Sequence, residues 1–276
     1  MEPFQDKIAI VTGGASGIGR ELCHQLAARG AAAVVVADRN LAGAQETAGR
    51  IVADGGQARA VQVDVTQAEA VQQLVDETVA EFGRLDYMFN NAGIALVGDM
   101  RDTTLTHWQQ IVDVNLWGIV HGSTCAYEVM AGQGFGHIVN TSSMTGLAPA
   151  AVSTAYAASK HAVVGLSTSL RAEAANLGVK VSVACPAIVR TPILESTIKV
   201  SKLQEGSAYP DLAAYGSIAA ERCARIILRG VARNKAIIPA GTVARLVWLL
   251  NRLAPSLPIW IYEKGSAQFQ AVREES

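Results

Sequence analysis

The stretch TAYAASK, residues 154–160, places a tyrosine and a lysine four positions apart in a run of small residues. In a helix, positions i and i+4 lie on one face, so the Tyr156 phenol and the Lys160 ammonium are neighbours. Most such pairs are packing, with the lysine stem covering the ring. A free phenol, with a pKa of about 10, is a poor base at neutral pH, and a nearby ammonium favours the phenolate. The pair therefore predicts a general acid–base group, provided that other residues supply a redox partner.

A glycine cluster, TGGASGIG at 12–19, is the first feature that could bind such a partner. Glycine is needed where a phosphate approaches bare backbone, and a helix N-terminus offers unpaired N–H groups to it. Asp38 lies nineteen positions after Gly19 (38 − 19), where a dinucleotide-binding fold places the acid that binds the adenosine ribose. A carboxylate there repels a 2′-phosphate, so we expect NAD rather than NADP, although the adjacent Arg39 could favour the phosphate.

The elements that must position these residues alternate regularly along the chain. Apolar, β-branched runs predict strands over 7–12, 32–38, 58–64, 85–91, 136–142, 180–185 and 236–240. Helical patterns lie between them, over 18–29, 40–53, 67–82, 104–131, 154–177 and 218–233. Alternation of strand and helix predicts a parallel, doubly wound sheet. We therefore expect an α/β fold in which residues 1–276 form one Rossmann domain with a seven-stranded parallel sheet.

Composition excludes several classes of function. The formal net charge of the 276 residues is -1, which gives no electrostatic case for nucleic-acid binding. The five histidines lack ligand-like spacing, and we expect no metal site. The cysteines lack a C-x-x-C pair and are expected to be buried thiols in a reducing compartment: Cys23, Cys125, Cys185 and Cys223. No signal peptide and no run of about 18 apolar residues are recognisable, so we expect a soluble, cytoplasmic protein.

Taken together, the motifs resemble those of the short-chain dehydrogenase/reductase family. The resemblance covers roughly residues 5–240 and rests on TGxxxGxG (Thr12, Gly13, Gly17, Gly19), NNAG at 90–93, YxxxK at 156–160, Ser143 thirteen positions before the tyrosine, and Asn115 in DVNLWG. It implies hydride transfer between a nicotinamide cofactor and a secondary alcohol or ketone.

The resemblance also implies a role for each catalytic residue. Tyr156 would be the general acid/base, and Ser143 would hydrogen-bond the substrate oxygen as charge develops there. Lys160 would also hold the nicotinamide ribose, and Asn115 would bind a water that relays protons from Lys160. Ser142 competes with Ser143, because strand alternation points only one of the two into the site. Taken singly, serines at strand ends and asparagines in helices are mostly structural.

For the cofactor, the resemblance implies a set of binding residues that runs along the whole chain. Asp64 and Val65 would contact the adenine ring, and Asn90 is expected to tie strands together instead. The family's P-G-x-V-x-T segment reads PAIVRT here, and Ala187 in place of glycine puts the local backbone in question. The full set is Gly13, Ser16, Gly17, Ile18, Gly19, Asp38, Arg39, Asp64, Val65, Asn91, Ala92, Gly93, Tyr156, Lys160, Pro186, Val189 and Thr191.

Residues 192–217 correspond to the family's variable substrate loop, which is expected to act as a lid. The loop carries few charges, and small apolar residues follow the predicted catalytic serine: Met144, Leu147, Ala148 and Ala150. An uncharged or hydrophobic alcohol or ketone is therefore the expected substrate. Two alternatives stay open, which are reduction of a 3-oxoacyl group on a carrier and a non-catalytic binding protein on the same fold.

The C-terminal extension, residues 241–276, lies beyond the usual end of the family. Its segment 241–262 has apolar residues at helical spacing, which could serve subunit packing, cap the pocket, or contact a membrane surface through Trp248, Arg252 and Trp260. Members of the family are commonly tetramers. Residues 106–130 are apolar around much of a helix, and 154–177 are rich in alanine and serine. We expect a homo-oligomer, with a tetramer preferred to a dimer.

Overall fold

A computed structural model of the protein describes residues 3–209 and 216–274. Its strands are β1 Ile8–Thr12, β2 Ala33–Asp38, β3 Ala58–Gln62, β4 Tyr87–Asn90, β5 Leu96–Val97, β6 Gly136–Thr141, β7 Val179–Pro186, β8 Val189–Arg190, β9 Ile198–Lys199, β10 Ile218–Ala219 and β11 Ile237–Ala240. Seven of them form one parallel sheet in the order β11-β7-β6-β4-β1-β2-β3. The predicted fold class and the seven-stranded parallel sheet are therefore confirmed.

Helices cover both faces of the sheet. They are α1 Gly17–Ala27, α2 Leu41–Ala53, α3 Ala68–Phe82, α4 Leu105–Val112, α5 Gly118–Gln133, α6 Thr154–Ala174, α7 Ala220–Ala232, α8 Thr242–Leu253 and α9 Ser256–Val272. On one face α1, α2 and α7 bury Leu22, Ile51 and Ile227 against the strands. On the other face α3, α5 and α6 contribute Leu74, Met130 and Ala174. Strands that are covered on both sides must be apolar on both sides, which is why their sequences do not alternate.

The helix predicted over 104–131 is wrong in one respect. It is divided into α4 and α5 by a π-helical turn, Asp113–Trp117, with Asn115 at its centre. A π turn adds one residue to the helical repeat, and such turns occur frequently at functional sites. The apolar pattern does not show this insertion, because both flanking segments keep helical spacing. Two further pairs, β5 with β9 and β8 with β10, were also not predicted, since two residues are too short for a periodic pattern.

The order of the strands creates a crevice at one edge of the sheet. From β1 the chain moves outward through β2 and β3, and it then returns to place β4 on the other side of β1. At this reversal the loops that follow β1 and β4 diverge, and ligands of open α/β sheets bind there, at the carboxyl ends of the strands.

The C-terminal extension packs on the same end of the molecule. In α8, Trp248 joins a buried cluster with Ile119 and Val183, and the Asn251 amide donates to the Leu147 carbonyl at 2.9 Å. In α9, Phe269 is buried and its ring centroid lies 5.8 Å from that of Tyr209. Across residues 3–209 and 216–274, no helix combines the length and the hydropathy of a transmembrane span.

Candidate active site

The loop between β1 and α1 leaves no room for side chains at its glycines. Gly17 begins α1 with a φ of +53°, in the left-handed region. A Cβ at Gly19 would lie 2.0 Å from the Gly13 carbonyl oxygen and 2.7 Å from the Asn91 amide nitrogen. The loop is therefore folded tightly on itself, with bare backbone at the N-terminus of a helix, which suits a pyrophosphate.

Asp38 lies at the end of β2 beside this loop. One of its carboxylate oxygens accepts from the Ala15 backbone N–H at 3.0 Å, and the other accepts from the Asn40 N–H at 2.9 Å. Two backbone donors fix the orientation of the carboxylate, and each oxygen keeps a lone pair for a ribose hydroxyl. The negative charge thus has a defined position beside the glycine loop, at one end of the crevice.

Arg20, a basic residue directly after the glycine loop, is paired with a carboxylate of α2. The Arg20 guanidinium donates to both oxygens of Glu46, at 3.1 and 2.9 Å, and to the Ala15 carbonyl. Because its donors are engaged with a carboxylate and a carbonyl, Arg20 is not positioned to pair with a phosphate. The sequence shows Arg20 directly after the glycine cluster, but its partner Glu46 lies in α2 and could not be recognised without the fold.

Asn90 and Asn91 are neighbours in the sequence but have different surroundings. Asn90 is buried, and its amide nitrogen donates to the Asn140 side chain at 2.8 Å, tying β4 to β6. Asn91 lines the cavity, and its amide nitrogen donates to the Thr12 carbonyl at 3.1 Å. Asn91 thereby supports the glycine loop from below.

Tyr156 and Lys160 lie on the face of α6 that meets the end of β6. The Lys160 Nζ is 5.7 Å from the centroid of the Tyr156 ring and donates to the Thr141 carbonyl at 3.1 Å. The Ser142 hydroxyl donates to the Lys160 backbone carbonyl at 2.7 Å. Two hydrogen bonds therefore hold this turn of α6 against the strand, and the small residues of TAYAASK permit the close approach.

Burial shifts the pKa of both groups. It raises the pKa of Tyr156 above its usual value, and a hydrogen bond with Ser143 opposes that rise. Burial also lowers the pKa of Lys160 to about 8, since the ammonium loses its hydration. The direction at Tyr156 is opposite to the one that the tyrosine–lysine pair alone suggested, because desolvation is the larger effect in this chain.

The two serines after β6 have different partners. Both serines line the cavity, but the Ser142 hydroxyl is bonded to the Lys160 backbone carbonyl in α6. Ser143 is hydrogen-bonded with Tyr156 and accepts from the Thr145 backbone N–H at 3.2 Å. Ser143 also begins the short 3₁₀ turn Met144–Gly146. The geometry thus places Ser143, rather than Ser142, next to the tyrosine hydroxyl.

Asn115 lies behind the cavity, fully buried in the π turn. Its side-chain oxygen accepts from the Ile94 N–H at 2.9 Å, and its amide nitrogen donates to the Ile94 carbonyl at 3.0 Å and to the Ser159 hydroxyl at 3.3 Å. The side chain therefore anchors the segment after NNAG to α6. Asn115 does not line the cavity itself, so its predicted role in a water relay stays a prediction.

One cavity of about 750 Å³ joins these groups. Its wall contains every predicted site residue except Gly19 and Asn115, namely Gly13, Ser16, Gly17, Ile18, Asp38, Arg39, Asp64, Val65, Asn91, Ala92, Gly93, Ser143, Tyr156, Lys160, Pro186, Val189 and Thr191. The bare glycine backbone, the oriented carboxylate and the tyrosine at the other end fit an extended dinucleotide. Among the described residues, no group of three or more histidine, cysteine, aspartate or glutamate side chains could hold a metal ion.

The cavity also has walls that the sequence did not reveal. Tyr209 comes from the substrate loop and Tyr262 from α9, so the C-terminal extension reaches the cavity. Leu147 and Ala148, predicted near the substrate, are instead buried core residues. The predicted loop 192–217 is seen at 192–209 and 216–217, and its residues 210–215 lie outside the described residues.

The alanine that replaces a family glycine is accommodated without strain. Ala187 is not among the non-glycine residues with a positive φ, and its N–H donates to the Ala240 carbonyl at 3.0 Å. The backbone of PAIVRT therefore does not require a glycine at this position, and Pro186, Val189 and Thr191 line the cavity, while their predicted contact with the cofactor stays a prediction.

Comparison with known proteins agrees with this geometry. A sequence model of the short chain dehydrogenase family matches residues 7–201. SadH of Mycobacterium tuberculosis, assigned as an oxidoreductase, is 33% identical over 272 residues, which cover 98% of each chain. A cyclohexanol dehydrogenase of Acinetobacter sp. is 35% identical over 192 residues, covering 69% of this chain and 76% of that enzyme.

A solved structure is similar over almost the whole chain. It is a short chain dehydrogenase/reductase from Burkholderia phymatum in complex with NAD, with a TM-score of 0.82, 28% identity, and coverage of 93% of this chain and 96% of that one. Agreement in sequence and in fold thus extends beyond the motifs to most of both chains. On this evidence the protein belongs to the short-chain dehydrogenase family of oxidoreductases, whose members use a nicotinamide cofactor.

Proposed function

We propose that the protein transfers a hydride between NAD(H) and a secondary alcohol or ketone of uncharged, hydrophobic character. One observation supports this most strongly. A single cavity connects an oriented carboxylate, Asp38, with a tyrosine that is hydrogen-bonded to Ser143 and lies beside Lys160. A dinucleotide that binds along this cavity has its adenosine at the carboxylate and its reactive ring at the tyrosine.

The chemistry needs a proton as well as a hydride. The nicotinamide supplies or accepts the hydride when the cofactor is bound. A tyrosine hydroxyl can donate its proton to a carbonyl oxygen, and burial, which raises the pKa of Tyr156, favours this protonated form. Ser143 hydrogen-bonds the same oxygen as negative charge develops on it. In the direction of oxidation the proton moves from the alcohol to the tyrosine oxygen, and the Lys160 ammonium favours the resulting phenolate.

Other residues position the reactants. Lys160 binds the nicotinamide ribose, and Pro186, Val189 and Thr191 hold the carboxamide side of the ring. The bonds from Asn115 to Ile94 and Ser159 fix the cavity wall relative to α6, so Asn115 acts as a positioning residue.

Preference for NAD over NADP follows from charge at the adenosine end. The Asp38 carboxylate repels a 2′-phosphate, and Arg20, which could attract one, is paired with Glu46. Arg39 lines the same end of the cavity and is exposed. It is the residue after Asp38, so the position at the end of β2 is still occupied by a carboxylate. These charges support a preference for NAD.

The substrate end of the cavity supports an apolar ligand. Its wall includes Ile94, Leu96, Val97, Met144, Ala150, Ile188, Ile193, Tyr209 and Tyr262. Besides Lys160, the basic residue Lys199 lines this end, and its Nζ lies 5.6 Å from the centroid of the Tyr209 ring. The similarity to a cyclohexanol dehydrogenase is consistent with a cyclic or branched secondary alcohol.

We also propose that the protein assembles as a homo-oligomer, a tetramer rather than a dimer, in the cytoplasm. The outer face of α6 exposes small residues at helical spacing, Ala158, Ala162, Gly165 and Ser169, which allow a second helix to approach closely. Closed two-fold symmetry would bury this face against its own copy.

A turnover assay tests the proposed reaction. The purified chain is mixed with NAD or NADP and a series of secondary alcohols that includes cyclohexanol, and formation of the reduced cofactor is followed. We expect NAD-dependent turnover, with kcat/KM for NAD at least about tenfold above that for NADP, which corresponds to ~1.4 kcal/mol. A preference for NADP, or turnover only with charged carrier-bound ketones, would contradict the proposal.

A further inference from the structure

Both helices of the C-terminal extension expose large apolar side chains on their outer surface. In α8 the exposed side chains are Leu246, Leu249, Leu250 and Leu253, and in α9 they are Leu257, Ile259, Trp260 and Ile261. The first four follow the spacing i, i+3, i+4, i+7, so they share one face of their helix. We name these eight residues the apolar stripe. Large exposed apolar patches of this kind mark interaction sites.

In α8 the stripe is the outer of two apolar faces of the helix. The opposite face of α8 is occupied, since Ala244 is buried and Trp248 packs on the core cluster around Leu147. The Asn251 side chain is bonded to the Leu147 carbonyl at 2.9 Å. The helix is thus anchored to the domain by its inner face, and the stripe cannot turn inward without breaking these contacts.

The charges around the stripe are mostly positive. Residues 242–262 contain Arg245 and Arg252 and no aspartate or glutamate, and the exposed pair Glu263 and Lys264 follows directly. The Arg252 guanidinium carbon lies 5.4 Å from the Trp248 ring centroid, and the Lys264 Nζ lies 4.0 Å from that of Trp260. Trp248 packs inward, so Trp260 is the exposed tryptophan of the extension, and an exposed tryptophan with basic side chains beside an apolar helix face is typical of helices that lie in the interface of a membrane.

We propose that the apolar stripe docks the protein on the surface of a bilayer that contains anionic lipids. The leucines and Ile261 would enter the acyl boundary, and Arg245, Arg252 and Lys264 would meet the lipid phosphates. A second copy of this chain fits less well, because a two-fold contact through the stripe would bring Arg245, Arg252 and Lys264 close to the same cations of the other copy, while residues 242–264 contribute one carboxylate, Glu263. The absence of a spanning helix among the described residues makes this a surface contact.

The position of the stripe relates docking to the cavity. Tyr262 follows Ile261 directly, and its side chain lines the cavity wall. One turn of α9 therefore contacts both the proposed lipid surface and the substrate end of the cavity. This arrangement would bring the cavity close to apolar molecules that are dissolved in the membrane.

Vesicle sedimentation with the full chain tests the docking, and it needs no catalysis, so its outcome is independent of the proposed reaction. Vesicles of phosphatidylcholine alone are compared with vesicles that also contain phosphatidylglycerol, at low and high salt. The wild type should sediment with the anionic vesicles and less with the neutral ones, and high salt should weaken the binding. Failure to bind the anionic vesicles would overturn the proposal.

Matched variants locate the contact. Leu249→Asp in the stripe should lower vesicle affinity by about tenfold or more, because a leucine side chain no longer leaves water. Leu177→Asp is the control, since Leu177 is 45% exposed and Leu249 is 49% exposed, and it should bind as the wild type does. If Leu249→Asp does not fold, as judged by thermal unfolding, Leu253→Asp takes its place. Equal vesicle binding by the stripe variant and the control variant would overturn the proposal. If the wild type does not bind vesicles and a stripe variant loses the oligomer, the stripe is a subunit contact, and the proposal is overturned as well.

Discussion

At the scale of single residues, charge at the ends of the cavity determines what binds and what reacts. Asp38 is oriented by the Ala15 and Asn40 N–H groups, and Arg20 is held by Glu46. At the other end, burial raises the pKa of the Tyr156 hydroxyl and lowers the pKa of Lys160 to about 8. The proposed cofactor preference and the proposed proton transfer therefore rest on separate residues, so each can be tested without changing the other.

Asp38→Asn tests the cofactor preference. The amide keeps an oxygen that can accept a backbone N–H, but it lacks the charge that repels a 2′-phosphate. The ratio of kcat/KM for NAD to that for NADP should fall by about tenfold, or ~1.4 kcal/mol. Asp64→Asn is the control, because Asp64 lines the same cavity but is bonded to Thr66. An unchanged ratio in Asp38→Asn would assign the preference to Arg39 or to another residue.

The sequence identified residues whose spacing is set by one helix or one turn. Tyr156 and Lys160 lie on one helical turn, and Gly13 to Gly19 belong to one loop, so their proximity follows from local geometry. Tyr209 and Tyr262 reach the cavity only because distant segments fold over it, and no local pattern shows this. Glu46 was missed for the same reason.

At the scale of secondary-structure elements, polar groups buried between strands make the sheet sensitive to acid. His137 in β6 is buried, and its Nε2 lies 2.8 Å from the Ser182 hydroxyl in β7. That hydroxyl donates to the Lys235 carbonyl, so the imidazole N–H must be the donor to Ser182. Burial, with Lys180 and Arg171 nearby, lowers the pKa of His137 from 6.5 to about 3.

The sign of the resulting pH dependence is determined by proton uptake. Between pH 6.5 and about 3 the unfolded chain binds a proton at His137 that the folded chain does not. The free energy of unfolding should therefore fall as the pH is lowered through this range, by up to ~1.4 kcal/mol per pH unit from this group. His137→Gln removes the group and should show a shallower decline in denaturant titrations. A decline as steep as that of the wild type would contradict this account, and His161→Gln provides an exposed control.

Most helices and strands could be predicted from the sequence, but their boundaries could be predicted less accurately. The seven strands and the main helices follow from apolar runs and helical spacing, because each buries one or both of its faces. The π turn at Asn115 could not be predicted, since the flanking segments keep helical spacing and the pairing of Asn115 with Ile94 is a contact between segments that no local pattern shows. The strand pairs β5 with β9 and β8 with β10 are likewise formed by long-range contacts.

At the scale of the whole molecule, two different surfaces are available for partners. The face of α6 with small residues is proposed for assembly, and the apolar stripe on α8 and α9 is proposed for lipid. The assignment of residues 1–276 to one domain stays a prediction. The contacts of α8 and α9 with the core support it. The sequence indicated an apolar extension but left its role open, because only the fold shows which face of α8 is already covered.

Light scattering tests the assembly. The mass of the wild type should be a multiple of the 29.0 kDa chain, with four copies expected, and a single-chain mass would rule out the oligomer. Gly165→Arg should reduce the mass, because it places a long charged side chain on the small-residue face of α6. Gly49→Arg in α2 is a matched control, since a Cβ at either glycine meets no atom within 4 Å. Equal masses for the two variants would exclude this face of α6 as the contact.

The central claim is that Tyr156 transfers the proton in a hydride-transfer reaction, and Tyr156→Phe tests it most directly. The variant loses one hydroxyl and keeps the ring that packs beside Lys160. With NAD and a secondary alcohol that the wild type oxidises, turnover should fall by at least ~100-fold while NADH affinity changes little. Tyr87→Phe is the control, because it removes a hydroxyl that donates to the Pro3 carbonyl outside the cavity, and it should keep wild-type turnover. If Tyr156→Phe retained more than about a tenth of the wild-type kcat, another group would have to be the acid–base catalyst.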